Sequence, residues 1–327
     1  NIIDSLQKPY SLGGSQAFVS ASVGVTVYPD DSTDVVSMLK LADQAMYKAK
    51  EDGRNCYSFF TQSMQEEAQR HQKLMGDLRT AVAADQLELY YQPIVDCHTG
   101  RIRKAEALLR WNHPTDGMIS PTDFIPLAEE SGLIVEIGDW VFKQVANKVK
   151  FWIEKYDENL QISLNKSPIQ FLSGENHNHW LGYLEELELP GHAIVIEITE
   201  GLLLESDQSI TEQIAQLHNA GIKVALDDFG TGYSALSYLK KFDIDYLKID
   251  RSFIQNLSLE SDDMALCEAM IVMAHRLGLK VIAEGVETEQ QLQLLTEVDC
   301  DYIQGYLFSK PVPALEFEQL LNADKQD

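Results

Sequence analysis

The chain has 327 residues, of which 45% are hydrophobic, and its formal net charge is −25. This composition predicts a globular protein with a large core, and the acidity argues against non-specific binding to nucleic acid polymers or anionic membranes. The four cysteines form no C-x-x-C pair and no apolar run reaches transmembrane length, so we expect a cytoplasmic protein without a disulfide framework or zinc site.

The first sixty residues predict a small mixed segment. Alternating β-branched residues over 16–28 predict one or two strands. Apolar residues at helical spacing predict a helix from Val35 to Lys50, which Gly53 ends, and a further strand follows at 55–60. The segment 1–60 is too short for a complete domain, and the polar stretch 61–84 predicts a helical connector.

Strand and helix patterns then alternate through 85–327. Strand-like runs occupy 88–95, 102–109, 160–165, 193–198, 222–227, 245–249, 280–284 and 301–303. Helical patterns occupy 121–131, 136–155, 179–187, 207–220, 233–240, 260–277, 287–297 and 314–322. This alternation predicts a (β/α)8 barrel of the TIM type within an α/β fold class. The first two strands are joined by only Cys97–Gly100, so we expect this one pair to be antiparallel.

Polar side chains recur at the ends of the predicted strands. They are Glu106, Asn165, Glu197, Asp227, Asp228, Lys248, Asp250, Glu284 and Gln304. Since the C-terminal ends of barrel strands meet at one face, this set predicts a single site there. Clustered carboxylates favour two divalent cations, magnesium, manganese or calcium rather than zinc. Any one of these carboxylates alone is more simply an exposed strand end or a helix N-cap.

Two cationic residues have both a structural and a functional interpretation. Lys248 lies two residues before Asp250, so both side chains point into the predicted mouth. Lys248 forms a salt bridge there, or it orients or deprotonates the attacking water; the two roles are compatible. Arg110 forms a surface salt bridge or binds a substrate phosphate. Gly230-Thr231-Gly232 is either a plain turn or a mobile element of the site.

The ordered motifs resemble those of the EAL-domain family of cyclic di-GMP phosphodiesterases. Glu106-Ala107-Leu108 is the naming motif, and the other matching runs are YYQPIVD, NKS, EITE, DDFGTGYS, KIDRSF, AEGVET and QGYLFSKP. The resemblance covers about residues 72 to 322. One departure is visible at Lys166 and Pro168, where the family more often reads N-L-S-x-x-Q.

The resemblance implies a modified barrel with one antiparallel strand that hydrolyses cyclic di-GMP to linear 5′-pGpG with Mg²⁺ or Mn²⁺, and we expect Ca²⁺ to inhibit it. It implies one set of metal ligands in Glu106, Asn165, Glu197 and Asp227, and a second in Asp227, Asp228 and Glu284 with Asp250 nearby. It implies catalytic roles for Lys248, Glu284, Asp228 and Gln304, and substrate contacts for Gln92, Leu109, Arg110, Asp250 and Pro311. Glu200, Tyr233 and Glu287 would couple the loop after the Asp pair to formation of a homodimer.

The opening segment resembles the C-terminal half of a GGDEF (diguanylate cyclase) domain. The matching text is SASVGVTVYPDD and LADQAMYKAKEDGRN, and the GG[DE]EF signature is absent. We therefore expect no cyclase activity from this segment. We also expect upstream regulatory domains in a longer parent protein, which could be tethered to a membrane.

Two other functions remain open at this point. A family member that has lost activity would act as a cyclic di-GMP receptor, and a complete ligand set that includes Lys248 argues against this alternative. An enolase-like enzyme would also place carboxylates, magnesium and a lysine at a barrel mouth. Asn165, Arg110 and the DDFGTG loop fit an enolase-like site poorly.

Overall fold

The structure is a computed structural model that describes residues 2–173, 178–204, 208–231, 239 and 241–325. The chain divides into two compact units, Asn1–Leu78 and Arg79–Asp327. The division falls inside helix α3 (Gln62–Ala81), which corresponds to the predicted connector.

The first unit is a small α+β segment. Helix α1 (Ile2–Leu6) precedes a hairpin of β1 (Tyr10–Leu12) and β2 (Ser15–Ala17). Strands β3 (Val23–Val25) and β4 (Tyr57–Phe59) pair in parallel, and the predicted helix is α2 (Val35–Glu51) between them. A Cβ on Gly24 would lie 1.8 Å from the Ala42 carbonyl oxygen, so glycine lets α2 approach the strand. The hairpin strand β1 was not predicted.

The second unit contains a closed barrel of eight strands. In chain order they are β5 (Leu87–Asp96), β6 (Ile102–His113), β8 (Gln161–Asn165), β9 (Ile194–Thr199), β10 (Lys223–Phe229), β11 (Tyr246–Ile249), β12 (Lys280–Glu284) and β13 (Tyr302–Gln304). Two short strands, β7 (Gly117–Ile119) and β14 (Val312–Pro313), extend the sheet beside β6 and β5. The predicted eight-stranded fold is therefore confirmed.

Strand β5 is the one reversed strand of the barrel. It pairs antiparallel with β6, as the short turn after it predicts. It also pairs antiparallel with β13, because a reversed strand in a closed barrel has a neighbour on each side. The prediction of one antiparallel pair was thus incomplete, while the prediction of one antiparallel strand is confirmed.

Helices follow most of the strands and cover the barrel. Their bounds are α4 (Pro121–Ser131), α5 (Ile134–Lys155), α6 (Pro168–Leu172), α7 (Asn178–Glu186), α8 (Glu200–Leu204), α9 (Gln208–Asn219), α10 (Arg251–Ile254), α11 (Asp262–Arg276), α12 (Glu289–Glu297) and α13 (Ala314–Asp324). The short helices α6, α8 and α10 were not predicted, since one turn or so gives no periodic pattern. The pattern at 233–240 falls almost entirely outside the described residues.

The barrel interior is apolar in its middle layer and polar at both ends. Ile94, Val195, Ala225 and Ile282 form a buried cluster that closes the centre of the barrel. This layer separates the carboxylates at the C-terminal ends of the parallel strands from a second buried polar group at their N-terminal ends. Within the described residues, no helix combines the length and the apolar character that crossing a bilayer requires.

Candidate active site

Lys248 is the centre of a buried carboxylate cluster at the barrel mouth. It is the third residue of β11, and its side chain is 1% exposed. The Nζ atom lies 2.6 Å from Glu197 Oε2 and 2.6 Å from Glu284 Oε1. It lies 3.1 Å from Asp227 Oδ1 and 3.6 Å from Glu106 Oε2. Four carboxylates from four strands therefore share one ammonium group.

Glu106 links this cluster to a set of amide side chains. Its Oε1 accepts a hydrogen bond from Asn165 Nδ2 at 2.7 Å, and its Oε2 accepts one from Gln304 Nε2 at 2.7 Å. Gln304 Nε2 also donates to Gln92 Oε1 at 3.1 Å. The sheet register accounts for part of this set, since Gln92 is the direct partner of Glu106 and one amide group of Gln304 can therefore reach both side chains.

A β-bulge brings the two consecutive aspartates to the same side. Successive residues of a regular strand point to opposite faces, but the register of β10 with β11 shifts between Leu226 and Phe229. Asp228 has a left-handed backbone with φ 55°, and its N–H donates to Asp227 Oδ1 at 3.0 Å. As a result, carboxylate oxygens of Asp227, Asp228 and Glu284 lie within 4.8 Å of one another.

Burial makes several of these carboxylates difficult to ionise. Burial, reinforced by the charge of Glu106, raises the pKa of Glu197 well above its usual value. Burial also raises the pKa of Glu284 to about 8, although Lys248 acts in the opposite direction. Burial and the neighbouring Asp227 and Asp250 raise the pKa of Asp228. Without a further positive charge, the cluster therefore retains protons at neutral pH.

The two most central groups remain charged. Burial alone would raise the pKa of Glu106, but the Lys248 ammonium and the amides of Gln304 and Asn165 outweigh it and lower that pKa. Burial alone would lower the pKa of Lys248, but the surrounding carboxylates hold it well above the usual value. Glu106 and Lys248 therefore form a buried ion pair in which both groups stay charged.

The donor set fits divalent cations. The five carboxylates Glu106, Glu197, Asp227, Asp228 and Glu284 carry five formal negative charges against the single charge of Lys248, which leaves −4. Glu197 Oε1 and Gln304 Oε1 are buried and accept no hydrogen bond from the described part of the chain. Oxygen donors of this kind suit Mg²⁺, Mn²⁺ or Ca²⁺, and two such ions would neutralise the cluster.

Among the residues expected to contact substrate, Arg110 and Asp250 lie close enough to the cluster to interact electrostatically with Glu106 and Asp228. Arg110 is half-buried, its Nη1 donates to the Leu109 carbonyl oxygen at 2.9 Å, and its guanidinium lies 5.4 Å from the centre of the Tyr90 ring. Burial lowers the pKa of Arg110. Asp250 caps α10, where its Oδ1 accepts from Ser252 N at 2.9 Å. Pro311 is half-buried just before β14.

The residues expected to couple the loop to dimerisation are only partly visible. Glu200 is buried at the first position of α8. Glu287 is exposed after β12, and its N–H donates to Gln291 Oε1 at 2.8 Å. Tyr233 and Gly232 lie outside the described residues.

Sequence reasoning missed residues that line two cavities beside the cluster. A cavity of about 210 Å³ is lined by Arg251, Gln255 and Tyr306 together with Glu106 and Glu284. Arg251 directly follows Asp250, so its position after a site residue was an available signal. Lys166, noted only as a departure from the family pattern, lines the other cavity, of about 290 Å³.

A scan against family models agrees with this geometry. Residues 75–311 match the EAL domain. The chain belongs to the EAL-domain family. The first part of the chain, residues 1–56, matches the model of the diguanylate cyclase GGDEF domain. Both matches lie where the sequence motifs predicted them.

This EAL-domain chain is similar to two curated relatives and to one solved structure. It is 39% identical over 320 residues to the bifunctional diguanylate cyclase/cyclic di-GMP phosphodiesterase MucR of Pseudomonas aeruginosa, covering 98% of this chain and 46% of that protein. It is 39% identical over 318 residues to the cyclic di-GMP phosphodiesterase PdeR of Escherichia coli, covering 97% of this chain and 48% of that protein. A structure of the MucR phosphodiesterase in complex with c-di-GMP matches with a TM-score of 0.72 and 39% identity, covering 75% of this chain and 99% of that one.

The chain thus spans about half the length of these two relatives. The matched structure, by contrast, is covered almost completely. The structural comparison therefore covers nearly all of the matched phosphodiesterase structure, whereas the sequence comparisons cover about half of each relative.

Proposed function

We propose that this chain is a metal-dependent phosphodiesterase that hydrolyses cyclic di-GMP to linear 5′-pGpG. The observation that carries the proposal is the buried cluster around Lys248, whose formal charge of −4 calls for two divalent cations. The relatives MucR and PdeR, which are named for this activity, support the choice of substrate. We assign the activity to a barrel domain at 85–327, with a partial GGDEF-like segment at 1–60 and the connector at 61–84.

The ligands divide into two overlapping sets. Glu106, Asn165, Glu197 and Asp227 would hold one cation. Asp227, Asp228 and Glu284 would hold the second, with Asp250 nearby; this assignment is supported by the 4.8 Å limit on the distances among the three carboxylates. Bound Mg²⁺ or Mn²⁺ would stabilise the negative charge that develops on the scissile phosphodiester.

Lys248 acts as a fixed donor in this proposal. A general base must be able to lose its proton near the working pH, and the raised pKa of Lys248 opposes that role. An ammonium held at 2.6 Å from both Glu197 and Glu284 instead orients the attacking water and the carboxylates around it. Glu284, whose Oε1 lies 2.6 Å from the Lys248 ammonium, would help to orient the same water.

The amides and Arg110 position the other parts of the reaction. Gln304 Nε2 is already committed to Glu106 and Gln92, so its free buried Oε1 is available to accept a hydrogen bond from a water molecule. Gln92, Leu109, Arg110, Asp250 and Pro311 would contact the substrate. The forked guanidinium of Arg110 suits a phosphate, and its partial burial strengthens that contact.

The test is a product assay on the purified chain. Cyclic di-GMP is incubated with Mg²⁺ or Mn²⁺ and separated from linear 5′-pGpG by chromatography, and chelator should abolish the product. Glu106→Gln and Asp228→Asn should each lower kcat by at least about 10²-fold, while the exposed control Glu316→Gln stays within about twofold. Ca²⁺ added in competition should inhibit. Tight binding without product would identify a receptor instead.

The assembly is a further part of the proposal. We infer that the barrel forms a homodimer in which Glu200, Tyr233 and Glu287 couple the loop after the Asp pair to the interface. The half-length coverage of MucR and PdeR supports further domains in a longer parent protein. Sedimentation of the purified chain should give the mass of a dimer, and a monomer with full activity would contradict this inference.

A further inference from the structure

Two of the four cysteines lie together at the N-terminal ends of the parallel strands, opposite the carboxylate cluster. Cys97 directly follows β5, and Cys300 lies two residues before β13. The Cys97 N–H donates to the Asp301 carbonyl oxygen at 3.0 Å, which continues the β5–β13 ladder one residue past the pair of Asp96 with Tyr302. Since Cys300 is the residue next to Asp301, the backbone brings the two cysteines together, although most of the barrel separates them in sequence.

The two thiols contact each other but differ in their access to solvent. The side chains of Cys97 and Cys300 are hydrogen-bonded to one another. Cys300 is 0% exposed, and its sulfur lies 3.3 Å from the Tyr302 carbonyl oxygen. The hydrogen bond with Cys97, together with burial, raises the pKa of the Cys300 thiol well above its usual value. Cys97 is only partly buried, so a reagent in solution reaches the Cys97 sulfur first.

We propose that Cys97 and Cys300 form a thiol–disulfide site at which a hydroperoxide cross-links the first and last strands of the barrel. Both residues are free thiols in this structure, which is the reduced state of the site. Neither thiol takes part in the proposed hydrolysis, so the proposal goes beyond that function. A dithiol reductant would return the site to the two thiols by exchange.

The reaction has two steps, written here for hydrogen peroxide. The Cys97 sulfur attacks one peroxide oxygen, the O–O bond breaks, and Cys97 becomes a sulfenic acid while the other oxygen leaves as water. The Cys300 sulfur then attacks the Cys97 sulfur, the S–S bond forms, and the sulfenic oxygen leaves as a second water. Two thiols are oxidised, one peroxide is reduced, and both thiol protons end in water. The buried Cys300 thiol must lose its proton in the second step, so we expect this step to be the slower one.

The bond would secure the pairing that closes the barrel. The β5–β13 ladder has three residue pairs, whereas the β5–β6 ladder has nine. The same two strands carry Gln92 and Gln304, whose side chains are hydrogen-bonded at 3.1 Å in the active-site cluster. A cross-link at the opposite end would hold this short ladder without contacting those amides. It would also close a loop through most of the barrel, which restricts the unfolded chain. Oxidation should therefore stabilise the barrel and leave turnover nearly unchanged.

The first experiment maps the bond in the full chain. Reduced protein is treated with hydrogen peroxide, blocked with N-ethylmaleimide, digested without reductant and analysed by mass spectrometry. We expect a peptide that links Cys97 to Cys300, and we expect the thiols that can be titrated in denaturant to fall from four to two. Dithiothreitol should restore all four. Cys56→Ser is the matched control, because Cys56 is also partly buried but lies in the first unit, and this variant should still form the bond.

Two results of this experiment would overturn the proposal. One is a linked peptide that contains Cys56 or Cys267 in place of either partner. The other is oxidation of Cys97 to sulfinic acid while Cys300 remains a free thiol, which would show that the second sulfur cannot reach the first.

The second experiment measures stability in the two redox states. Oxidised wild type should unfold at a urea concentration at least about 0.5 M higher than reduced wild type. Cys97→Ser should show no such shift and should match reduced wild type, since the position is only partly buried. The initial rate of cyclic di-GMP hydrolysis should agree within about twofold between the two states of wild type. A cross-linked protein whose urea midpoint is unchanged or lower would contradict the stabilisation of the β5–β13 pairing.

Discussion

Each end of the barrel contains a buried lysine, but the two lysines have opposite kinds of hydrogen-bond partner. At the mouth, Lys248 is surrounded by four carboxylates at 2.6–3.6 Å. At the other end, Lys104 donates hydrogen bonds to two neutral oxygens, Gln161 Oε1 and, at 2.8 Å, Tyr246 OH. Its Nζ also lies 4.0 Å from the centre of the Tyr246 ring and 4.8 Å from that of Tyr302.

Partners, rather than burial, account for this difference. Burial acts to lower the pKa of both lysines, and it lowers that of Lys104 to about 7. The carboxylates reverse the direction at Lys248. The mouth therefore keeps the Lys248 ammonium within an excess of carboxylates, which suits divalent cations, while Lys104 at the lower end can become neutral and serve packing alone. Changes at the mouth should alter catalysis, and changes at the lower end should alter only stability.

The largest effect should come from Lys248→Met. This variant removes the positive charge of the Lys248 ammonium from among the buried carboxylates. Turnover of cyclic di-GMP should therefore fall by at least about 10³-fold. Unfolding by urea in the presence of chelator should show a loss of about 3–5 kcal/mol, because breaking a buried ion pair leaves the other charges uncompensated. The loss should be greater at high pH, where the carboxylates cannot neutralise themselves with protons. Near-normal turnover would show that the mouth does not need its lysine.

The pH dependence of stability should distinguish the ends by its sign. Glu284 has a raised pKa of about 8, so the folded protein holds a proton that the unfolded chain has released above about pH 4.5. In chelator its contribution to the free energy of unfolding should therefore fall as pH rises from about 5 to 8. Urea titrations should show a steeper slope in wild type than in Glu284→Gln, because Glu197 and Asp228 also have raised pKa values and contribute the same sign of slope in both proteins. Mg²⁺ should flatten the wild-type slope, and an equal slope in both proteins would contradict the assignment.

Lys104 should contribute the opposite slope at higher pH. Its lowered pKa means that the unfolded chain binds a proton that the folded protein has lost, so this contribution to stability rises from about pH 7 to about pH 10. Lys104→Met removes the titrating group and should remove the rise, which is at most about 4 kcal/mol. The variant should be at least as stable as wild type at pH 7 and should keep its turnover within about twofold. A loss of activity would mean that the lower end takes part in the site.

The mouth could be predicted from sequence more fully than the lower end. Residues near strand ends such as Glu197 and Glu284 stand out because a carboxylate after an apolar run is costly without a partner. Glu106 was expected at a strand end but lies within β6 (Ile102–His113). The closeness of Asp227 and Asp228 could not be derived in the same way. Alternation sends neighbours to opposite faces, and only the bulge and the left-handed backbone of Asp228 bring both to one side.

Lys104 and Lys166 gave no comparable signal. Each is a single cation beside a site motif, and a lone lysine in a sequence is normally exposed. Their burial depends on aromatic rings that are distant along the chain, such as Tyr246 and Tyr302 around Lys104. Such cages arise from tertiary packing, for which hydrophobic periodicity holds no information.

The smallest effect should come from Tyr246→Phe at the lower end. The Tyr246 hydroxyl accepts from Lys104 Nζ and donates to Gln161 Oε1 at 2.8 Å. Its removal leaves the Lys104–Gln161 hydrogen bond in place, so no buried group loses its last partner. Urea unfolding should show a loss of about 1 kcal/mol, and the rate of cyclic di-GMP hydrolysis should be unchanged. Since the apolar layer of Ile94, Val195 and Ile282 separates this hydroxyl from the carboxylates, a tenfold or greater fall in turnover would mean that the two ends are coupled through that layer.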